Sequence, residues 1–293
     1  MIQSFRTSSA RTLAIHPPHR IADSAPSTLS PWTRRPRAAL DRSSTMKRIR
    51  HADQRGQARF PGLESRHSFS FGSYFDPANE QVSVLRVIND DRVTPGAGFP
   101  THGHRDMEIV SWVLEGELEH RDSLGNEGVV RAGEMQVMSA GTGIRHSEFN
   151  ASKDAPLRFL QIWILPDAAG HAPRWQQVDL GTIAAEGVTR VIGPEGSAAP
   201  MTVHQDAALD LLVLAAGTRL DLTPATARLR YLHLTEGRLA VDGRELSAGD
   251  AIAVDAAGGL EIEVTEAAKG LLFDLPDGPV AITGTDLQDR RAA

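Results

Sequence analysis

Residues 102–108 read His-Gly-His-Arg-Asp-Met-Glu, and residues 141–148 read Gly-Thr-Gly-Ile-Arg-His-Ser-Glu. Side chains two positions apart on a β-strand point to the same face, so His102 and His104 converge on one side, as do His146 and Glu148. A small closed β-barrel can bring two such strands next to each other. Three imidazoles and one carboxylate would then meet, and this set of donors predicts a site for one divalent transition metal.

Glu108 is a rival for the carboxylate position, because it lies an even number of residues from His104. Strand parity alone does not separate Glu108 from Glu148. A single His-x-His pair is weak evidence, since most histidines are surface residues or hydrogen-bonded core residues. The second pair, together with the glycines that precede both pairs, makes metal binding the favoured interpretation.

The composition narrows the possible chemistry. The 293 residues include no cysteine, and the formal net charge is -6. Without thiolates, imidazole and carboxylate groups are the strong metal ligands that remain, and a disulfide framework is excluded. The acidic balance gives no electrostatic footprint for direct nucleic-acid binding. No apolar run approaches the roughly 20 residues that span a bilayer, so we expect no membrane association. The absence of cysteine fits a reducing cytosol, so we expect a cytoplasmic protein.

The character of the chain changes near Met46. Residues 1–45 are rich in Arg, Ser, Ala and Pro, and they show no apolar periodicity, so we expect them to be disordered. Met46 is followed by a basic run and looks like a second translation start. The favoured interpretation of residues 1–45 is therefore a dispensable or mis-assigned extension, and the alternative is an organelle-targeting leader.

From Met46 onward, short apolar runs alternate with Gly, Pro, Asn and Asp, which predicts an all-β fold with strands that include 82–88 and 229–234. The run Val-Leu-Glu-Gly-Glu-Leu at 113–118 resembles Leu-Thr-Glu-Gly-Arg-Leu at 234–239. Two diverged copies of one β-unit follow from this repeat. We expect a first domain over 46–166, a connector over 167–202 and a second domain over 203–293.

The second copy lacks the metal ligands. When Gly237 is aligned with Gly116 and Gly249 with Gly133, the four ligand positions are taken by Thr223, Ala225, Ile262 and Val264. None of these side chains can replace an imidazole or a carboxylate in the site. We therefore expect the second barrel to be structural.

The two motifs resemble those of a known superfamily. Gly96, His102-Gly-His104, Glu108 and Gly116 resemble the first motif of the cupins, and residues 133–150 resemble the second, with Gly141 where that motif usually has Pro. More narrowly, residues 102–108 and 141–148, with Arg-His-Ser-Phe-Ser-Phe-Gly-Ser-Tyr-Phe-Asp-Pro at 66–77, resemble the pirin family. The resemblance implies two cupin (jelly-roll-like) β-barrels in tandem, a bicupin, with metal on His102, His104, His146 and Glu148. It leaves Glu108 as a partner that orients an imidazole.

The resemblance also implies a function. We expect a quercetin 2,3-dioxygenase-type enzyme that cleaves a flavonol with O2 and releases CO, with Fe(II) as the favoured metal and Ni, Co, Mn, Cu or Zn as alternatives. Glu148 is the expected catalytic base. The alternatives are a non-enzymatic regulatory pirin that docks an unknown protein partner, and another small-molecule-binding cupin or isomerase.

Residues around the motifs have two possible roles. Arg105 and Arg145 would either form ion pairs or steer an anionic substrate, and we favour ion pairs. Apolar residues near the ligands would either contact an aromatic substrate or pack as plain barrel core, which is the more common role. They are Phe99, Met107, Trp112, Met138, Phe149 and Trp163.

Overall fold

The computed structural model describes residues 47–223, 226–255 and 258–277. It confirms the predicted all-β class, because the only helical elements among these described residues are two 3-10 turns, Ala52–Gln54 and Leu180–Thr182. None of the helices within these ranges has the length and apolar character required to cross a membrane. The predicted extension over 1–45 lies outside the described residues.

The strands follow in chain order. They are β1 (Lys47–Arg50), β2 (Gly56–Phe60), β3 (Leu63–His67), β4 (Leu85–Val93), β5 (Gly98–His104), β6 (Glu108–Glu115), β7 (Glu117–Asp122), β8 (Glu127–Arg131), β9 (Glu134–Ser139), β10 (Ile144–Asn150), β11 (Leu157–Ile164), β12 (Arg174–Asp179), β13 (Gly187–Pro194), β14 (Met201–Val203), β15 (Ala208–Leu214), β16 (Arg219–Asp221), β17 (Arg228–Val241), β18 (Arg244–Ser247), β19 (Ala251–Val254) and β20 (Glu261–Pro276).

Three sheets build two barrels. A seven-stranded sheet in the order β12-β9-β6-β11-β4-β3-β2 and a four-stranded sheet in the order β5-β10-β7-β8 form the first barrel. A nine-stranded sheet, with the path β1-β19-β17-β20-β15-β13-β14, forms the second barrel. The prediction of two barrels in tandem is confirmed.

The seven-stranded sheet has an apolar face and a partly polar face. Trp112 and Ile162 belong to one apolar core with Leu209 and Phe273 of the nine-stranded sheet. Because side chains alternate between the two faces of a strand, Ser111 and the other intervening residues of β6 and β11 point into the interior of the first barrel. Both faces of these strands are buried, and this explains why they read as continuous apolar runs in the sequence.

Strand pairing crosses the domain limits that the sequence predicts at 166 and 202. The first strand, β1, pairs with β19 of the second barrel. Within the predicted connector 167–202, β12 pairs with β9 of the first barrel and β13 pairs with β15 of the second. The segment predicted as a connector therefore contributes β12 to the seven-stranded sheet and β13 to the nine-stranded sheet.

The two halves repeat one sharp bend. Gly116 and Gly237 have φ values of 80° and 75°, and a Cβ on either residue would collide with a backbone carbonyl oxygen, of Pro156 or of Ala267. This positive-φ geometry favours glycine at both places. The internal repeat predicted from 113–118 and 234–239 is thus visible as the same bend in both barrels.

The structure also tests the predicted bounds of β4 and the positions of the second barrel that correspond to the metal ligands. The strand expected over 82–88 begins at Leu85 and continues to Val93 through four polar residues. In the second barrel, Ile262 and Val264 lie in its apolar core, as expected for positions without metal ligands. Thr223 lies just after β16, whereas Ala225 lies outside the described residues.

Candidate metal centre

Three neighbouring strands carry the site. In the four-stranded sheet β10 lies between β5 and β7, and its register pairs His146 with His102 on one side and Glu148 with His120 on the other. The register between β5 and β10 shifts between His146 and Glu148. The side-by-side placement of the two predicted motifs is therefore observed.

The imidazoles of His102, His104 and His146 form one cluster. Their ring centroids lie 4.5 to 5.0 Å apart, and one nitrogen from each lies within 4.8 Å of the others. His102 Nδ1 lies 2.8 Å from the carbonyl oxygen of Pro100. A carbonyl only accepts, so Nδ1 carries the proton in this contact. The other ring nitrogen, Nε2, lies 3.1 Å from His146 Nε2.

Burial in the cluster holds the imidazoles of His104 and His146 in the neutral form. Burial, followed by the neighbouring imidazoles of His146 and His102, lowers the pKa of His104 to about 3. Burial, followed by His102 and His120, lowers the pKa of His146 to about 3. Neutral imidazole is the form that binds metals, so both rings are ready to act as ligands near neutral pH.

Glu148 is held in a polar cradle inside the barrel. Gln136 Nε2 and Ser111 Oγ lie 2.8 and 2.9 Å from its Oε1, and Gln161 Nε2 lies 2.7 Å from its Oε2. The carboxylate is 1% exposed. These donors come from β6, β9 and β11 of the facing sheet, so the two sheets of the first barrel meet at Glu148.

A fourth imidazole, that of His120, lies in the site, although the sequence did not predict it as a site residue. It is fully buried, and it forms a second group of metal-binding type with His146 and Glu148. His120 Nε2 lies 3.3 Å from Asp122 Oδ2, while Nδ1 has no hydrogen-bond partner. Trp175 of β12 stacks on the ring, with centroids 5.3 Å apart. The only signal in the sequence is the alternation of residues 118, 120 and 122 after Gly116.

The predicted ligands thus fall into two overlapping groups. His102, His104 and His146 form one, and Glu148 joins His146 and His120 in the other. His146 belongs to both groups, and its buried Nδ1 has no hydrogen-bond partner. Neutral imidazoles beside a fixed carboxylate suit a divalent transition metal, so the residues fit such an ion. The exact set of four ligands stays a prediction.

Glu108 lies outside both groups. Its Oε2 accepts a hydrogen bond from Ser139 Oγ at 2.7 Å, and its Oε1 lies 3.1 Å from His204 Nδ1. His204, an isolated histidine in the sequence, also lies 3.3 Å from Glu195. Glu108 therefore orients an imidazole, but this is His204 and not one of the clustered histidines. The geometry favours Glu148 over Glu108 beside the metal.

Nearby aromatic residues differ in their relation to the site. The ring of Trp163 meets His104 edge-on at 5.1 Å, and Phe99 lies 6.5 Å from His102. Trp112 packs instead in the core between the barrels, so it does not face the metal cluster. The indole N–H of Trp163 is buried and has no hydrogen-bond partner.

The expected ion pairs of Arg105 and Arg145 are not found among the described residues. The only hydrogen bond of either side chain runs from Arg145 to the carbonyl oxygen of Thr101, at 3.5 Å. Both arginines are exposed, and both line one pocket beside His104. The favoured interpretation from the sequence was therefore wrong.

Tandem β-barrels with a histidine cluster in the first define a bicupin with a candidate metal centre. A sequence model of the family described as Pirin matches residues 48–164, and one described as the quercetinase C-terminal cupin domain matches residues 190–275. The chain belongs to the pirin family.

Relatives support this assignment. Quercetin 2,3-dioxygenase of Escherichia coli K12 is 41% identical over 228 residues, which are 78% of this chain and 98% of the relative. The crystal structure of the E. coli pirin YhhW in complex with nickel(II) is 41% identical, covers 80% of this chain and all of its own, and superposes with a TM-score of 0.76. A quercetin 2,3-dioxygenase from Acinetobacter baumannii, 18% identical over 80% of this chain and 90% of its own, with a TM-score of 0.63, shows the fold alone.

Proposed function

We propose that this protein is a metal-dependent dioxygenase of the quercetin 2,3-dioxygenase type. The observation that carries the proposal is the cluster of imidazoles from His102, His104 and His146, placed beside the anchored carboxylate of Glu148. The identity of 41% to a quercetin 2,3-dioxygenase supports the same activity. The substrate would be a flavonol. O2 would break the C2–C3 and C3–C4 bonds of the heterocycle, its two oxygen atoms would bond to C2 and C4, and C3 would leave as CO.

The metal would be held by His102, His104, His146 and Glu148. When bound, it supplies a Lewis acid with open positions for a chelating substrate and for dioxygen. We propose Fe(II) as the native ion. The related bacterial pirin binds nickel(II) in its crystal structure, and imidazole sites select only weakly between first-row metals.

Glu148 is the proposed base for the substrate hydroxyl. Its Oε1 lies near two donors and its Oε2 near one, so Oε2 keeps a free lone pair. The three donors fix the carboxylate orientation, and a base must lie within hydrogen-bond reach of the proton that it takes. In this assignment Ser111, Gln136 and Gln161 position Glu148 without contact with the substrate.

The activity is tested with protein loaded with Fe(II) under anaerobic conditions. Quercetin is then added with oxygen, and oxygen uptake and CO release are measured together. We expect both in equal amounts, and neither with His146→Ala. Oxygen uptake without CO would indicate a different oxidation. A metal-loaded protein that is inert toward flavonols would contradict the enzymatic proposal and would favour the regulatory alternative.

A further inference from the structure

The pocket beside His104 lies where β5 ends and β10 begins. It measures about 310 Å³, which is the lower size range of small-molecule sites. Its lining consists of Gly103, His104, Arg105, Ser123, Gly143, Ile144 and Arg145. The pocket thus contains Arg105 and Arg145, and neither pairs with a carboxylate of a described residue.

Two glycines lie next to the side chains of these arginines. A Cβ on Gly103 would lie 3.9 Å from Arg145 Nη1, and a Cβ on Gly143 would lie 3.6 Å from Arg105 Nη2. Each guanidinium therefore passes over a position without a side chain.

A third donor faces the same pocket. Ser123 Oγ accepts a hydrogen bond from the backbone N–H of Arg145 at 3.1 Å. Within the described part of the chain, the hydroxyl proton of Ser123 has no acceptor. This O–H is free to donate to a ligand.

The charge of the pocket is not compensated. None of its lining residues is an acid. The pocket beside β16 is the opposite case, because it is lined by Asp221, Asp242, Glu261 and Glu263, with Arg219 bound to Glu263.

The pocket opens on the outer side of the metal-bearing strands. Gly103 and Arg145 are paired across β5 and β10, and they alternate with the inward-facing imidazoles of His102 and His146. Arg145 is exposed, whereas its neighbour His146 is buried, with 1% of its surface exposed. Arg145 therefore approaches the pocket from the opposite face of β10 to the imidazole of His146, while the predicted metal ligand His104 also lines the pocket.

We propose that this outer pocket binds an oxyanion, such as the sulfate, phosphate or carboxylate group of a small molecule. A guanidinium donates two parallel hydrogen bonds to such groups, so each arginine matches an oxyanion in geometry as well as in charge. The hydroxyl of Ser123 adds a neutral donor. The inference does not depend on the dioxygenase proposal, because it concerns a different face of the strands.

The test uses sulfate as the probe, because sulfate is a weak ligand for metals. The zinc-loaded full chain, which is diamagnetic, is titrated with sodium sulfate at constant ionic strength, and backbone amide shifts are followed by NMR. We expect saturable shifts at Gly103, Ser123 and Gly143. Replacing both arginines, as Arg105→Gln with Arg145→Gln, should weaken binding about tenfold or more, given the strength of charge-assisted hydrogen bonds.

The matched control is Arg92→Gln, since Arg92 is exposed and also lacks a carboxylate partner among the described residues. It should leave sulfate binding unchanged. Unaltered sulfate affinity in the double variant, or shifts confined to other surfaces, would overturn the proposal. If the double variant does not fold, Arg105→Lys and Arg145→Lys keep the charge but lose the planar fork, and each should weaken binding several-fold.

The source of the oxyanion is distinguished by a second titration with benzoate. Tighter binding of benzoate than of sulfate, lost in the double variant, would assign the pocket to a carboxylate on an aromatic ring. Tighter binding of sulfate, equally lost, would assign it to a tetrahedral anion. Binding of neither anion would contradict the inference even if dioxygenase activity were found.

Discussion

The indole ring of Trp175 lies parallel to the imidazole of His120, with the two planes 11° apart. The contact links β12, which the sequence assigned to a connector, to the metal-binding region. Trp175 also donates its N–H to Gln136 at 2.8 Å, and Gln136 in turn donates to Glu148. A residue 27 positions beyond Glu148 thus helps to fix both the fourth imidazole and the carboxylate.

The first prediction concerns His120. His120→Phe keeps an aromatic ring on Trp175 but removes both nitrogens, so the fold should persist while nickel affinity falls about 10- to 100-fold, as for other groups that orient metal ligands. Affinity is measured by competition with a chelator. His171→Phe is the matched control, because His171 is also a stacked histidine, on His204, but lies outside both metal groups. Equal affinity in the two variants would remove His120 from the site.

The second prediction concerns the clustered imidazoles. His102→Ala or His146→Ala should abolish stoichiometric nickel binding, because each removes a ligand from a cluster whose nitrogens lie within 4.8 Å. Metal content is measured by elemental analysis after gel filtration. His51→Ala, at an exposed histidine, should retain the metal. Full occupancy in both cluster variants would show that the site lies elsewhere.

The third prediction separates the two carboxylates. Glu148→Gln should reduce kcat by about 100-fold or more, if Glu148 is the base, while it lowers metal content less. Glu108→Gln should have a milder effect on both, because Glu108 contacts His204 and Ser139 instead of the cluster. Activity and metal content are measured on the same preparations. The reverse order of effects would identify Glu108 as the functional acid.

The fourth prediction concerns pH and stability. Burial, followed by the charge of Arg55, lowers the pKa of the fully buried His233 to about 3. The unfolded chain takes up this proton near pH 6.5 and the folded chain does not, so the free energy of unfolding should fall as the pH drops from about 6.5 toward 3.

Urea unfolding at pH 7 and at pH 5 measures this slope. His233→Asn should reduce it by up to about 1.4 kcal/mol per pH unit. His51→Asn, at an exposed position, should leave it unchanged. A slope that is the same in all three proteins would mean that His233 does not contribute.

The fifth prediction tests the repeated bend. Gly116→Ala should destabilise the protein by about 1–3 kcal/mol more than Gly125→Ala. Both glycines have positive φ, of 80° and 89°, but a Cβ on Gly116 would meet Pro156 while a Cβ on Gly125 would meet nothing within 4 Å. Thermal unfolding of the two variants provides the comparison. Equal losses would show that backbone strain alone matters at Gly116.

Local patterns were sufficient to predict the strands that carry His102, His104 and His146, because alternation along a strand fixes which side chains share a face. The same logic failed for residues 89–92. Asn89 and Asp90 are polar, yet they lie in the middle of β4 because His67 and Arg158 bind them across the sheet. Such partners are distant in sequence and leave no local signal.

The contribution of His120 could not be predicted for a similar reason. Its place beside Glu148 depends on the register between β7 and β10, and the stacking of Trp175 depends on β12 joining β9. Neither pairing is encoded by a short motif. The absence of ion pairs at Arg105 and Arg145 likewise depends on where the acids of other strands lie.

The exchange of strands between the barrels limits how this chain can be divided. A fragment ending at residue 166 would carry β1 without its partner β19, and it would lack β12 with Trp175. The remaining fragment would in turn expose the edge of β19, and unpaired sheet edges promote aggregation. A chimera could join the metal-bearing barrel of this chain to the second barrel of a relative. It would need residues 174–179 of this chain, which pair with the first barrel, and the relative's own counterpart of residues 47–50, which pair with the second.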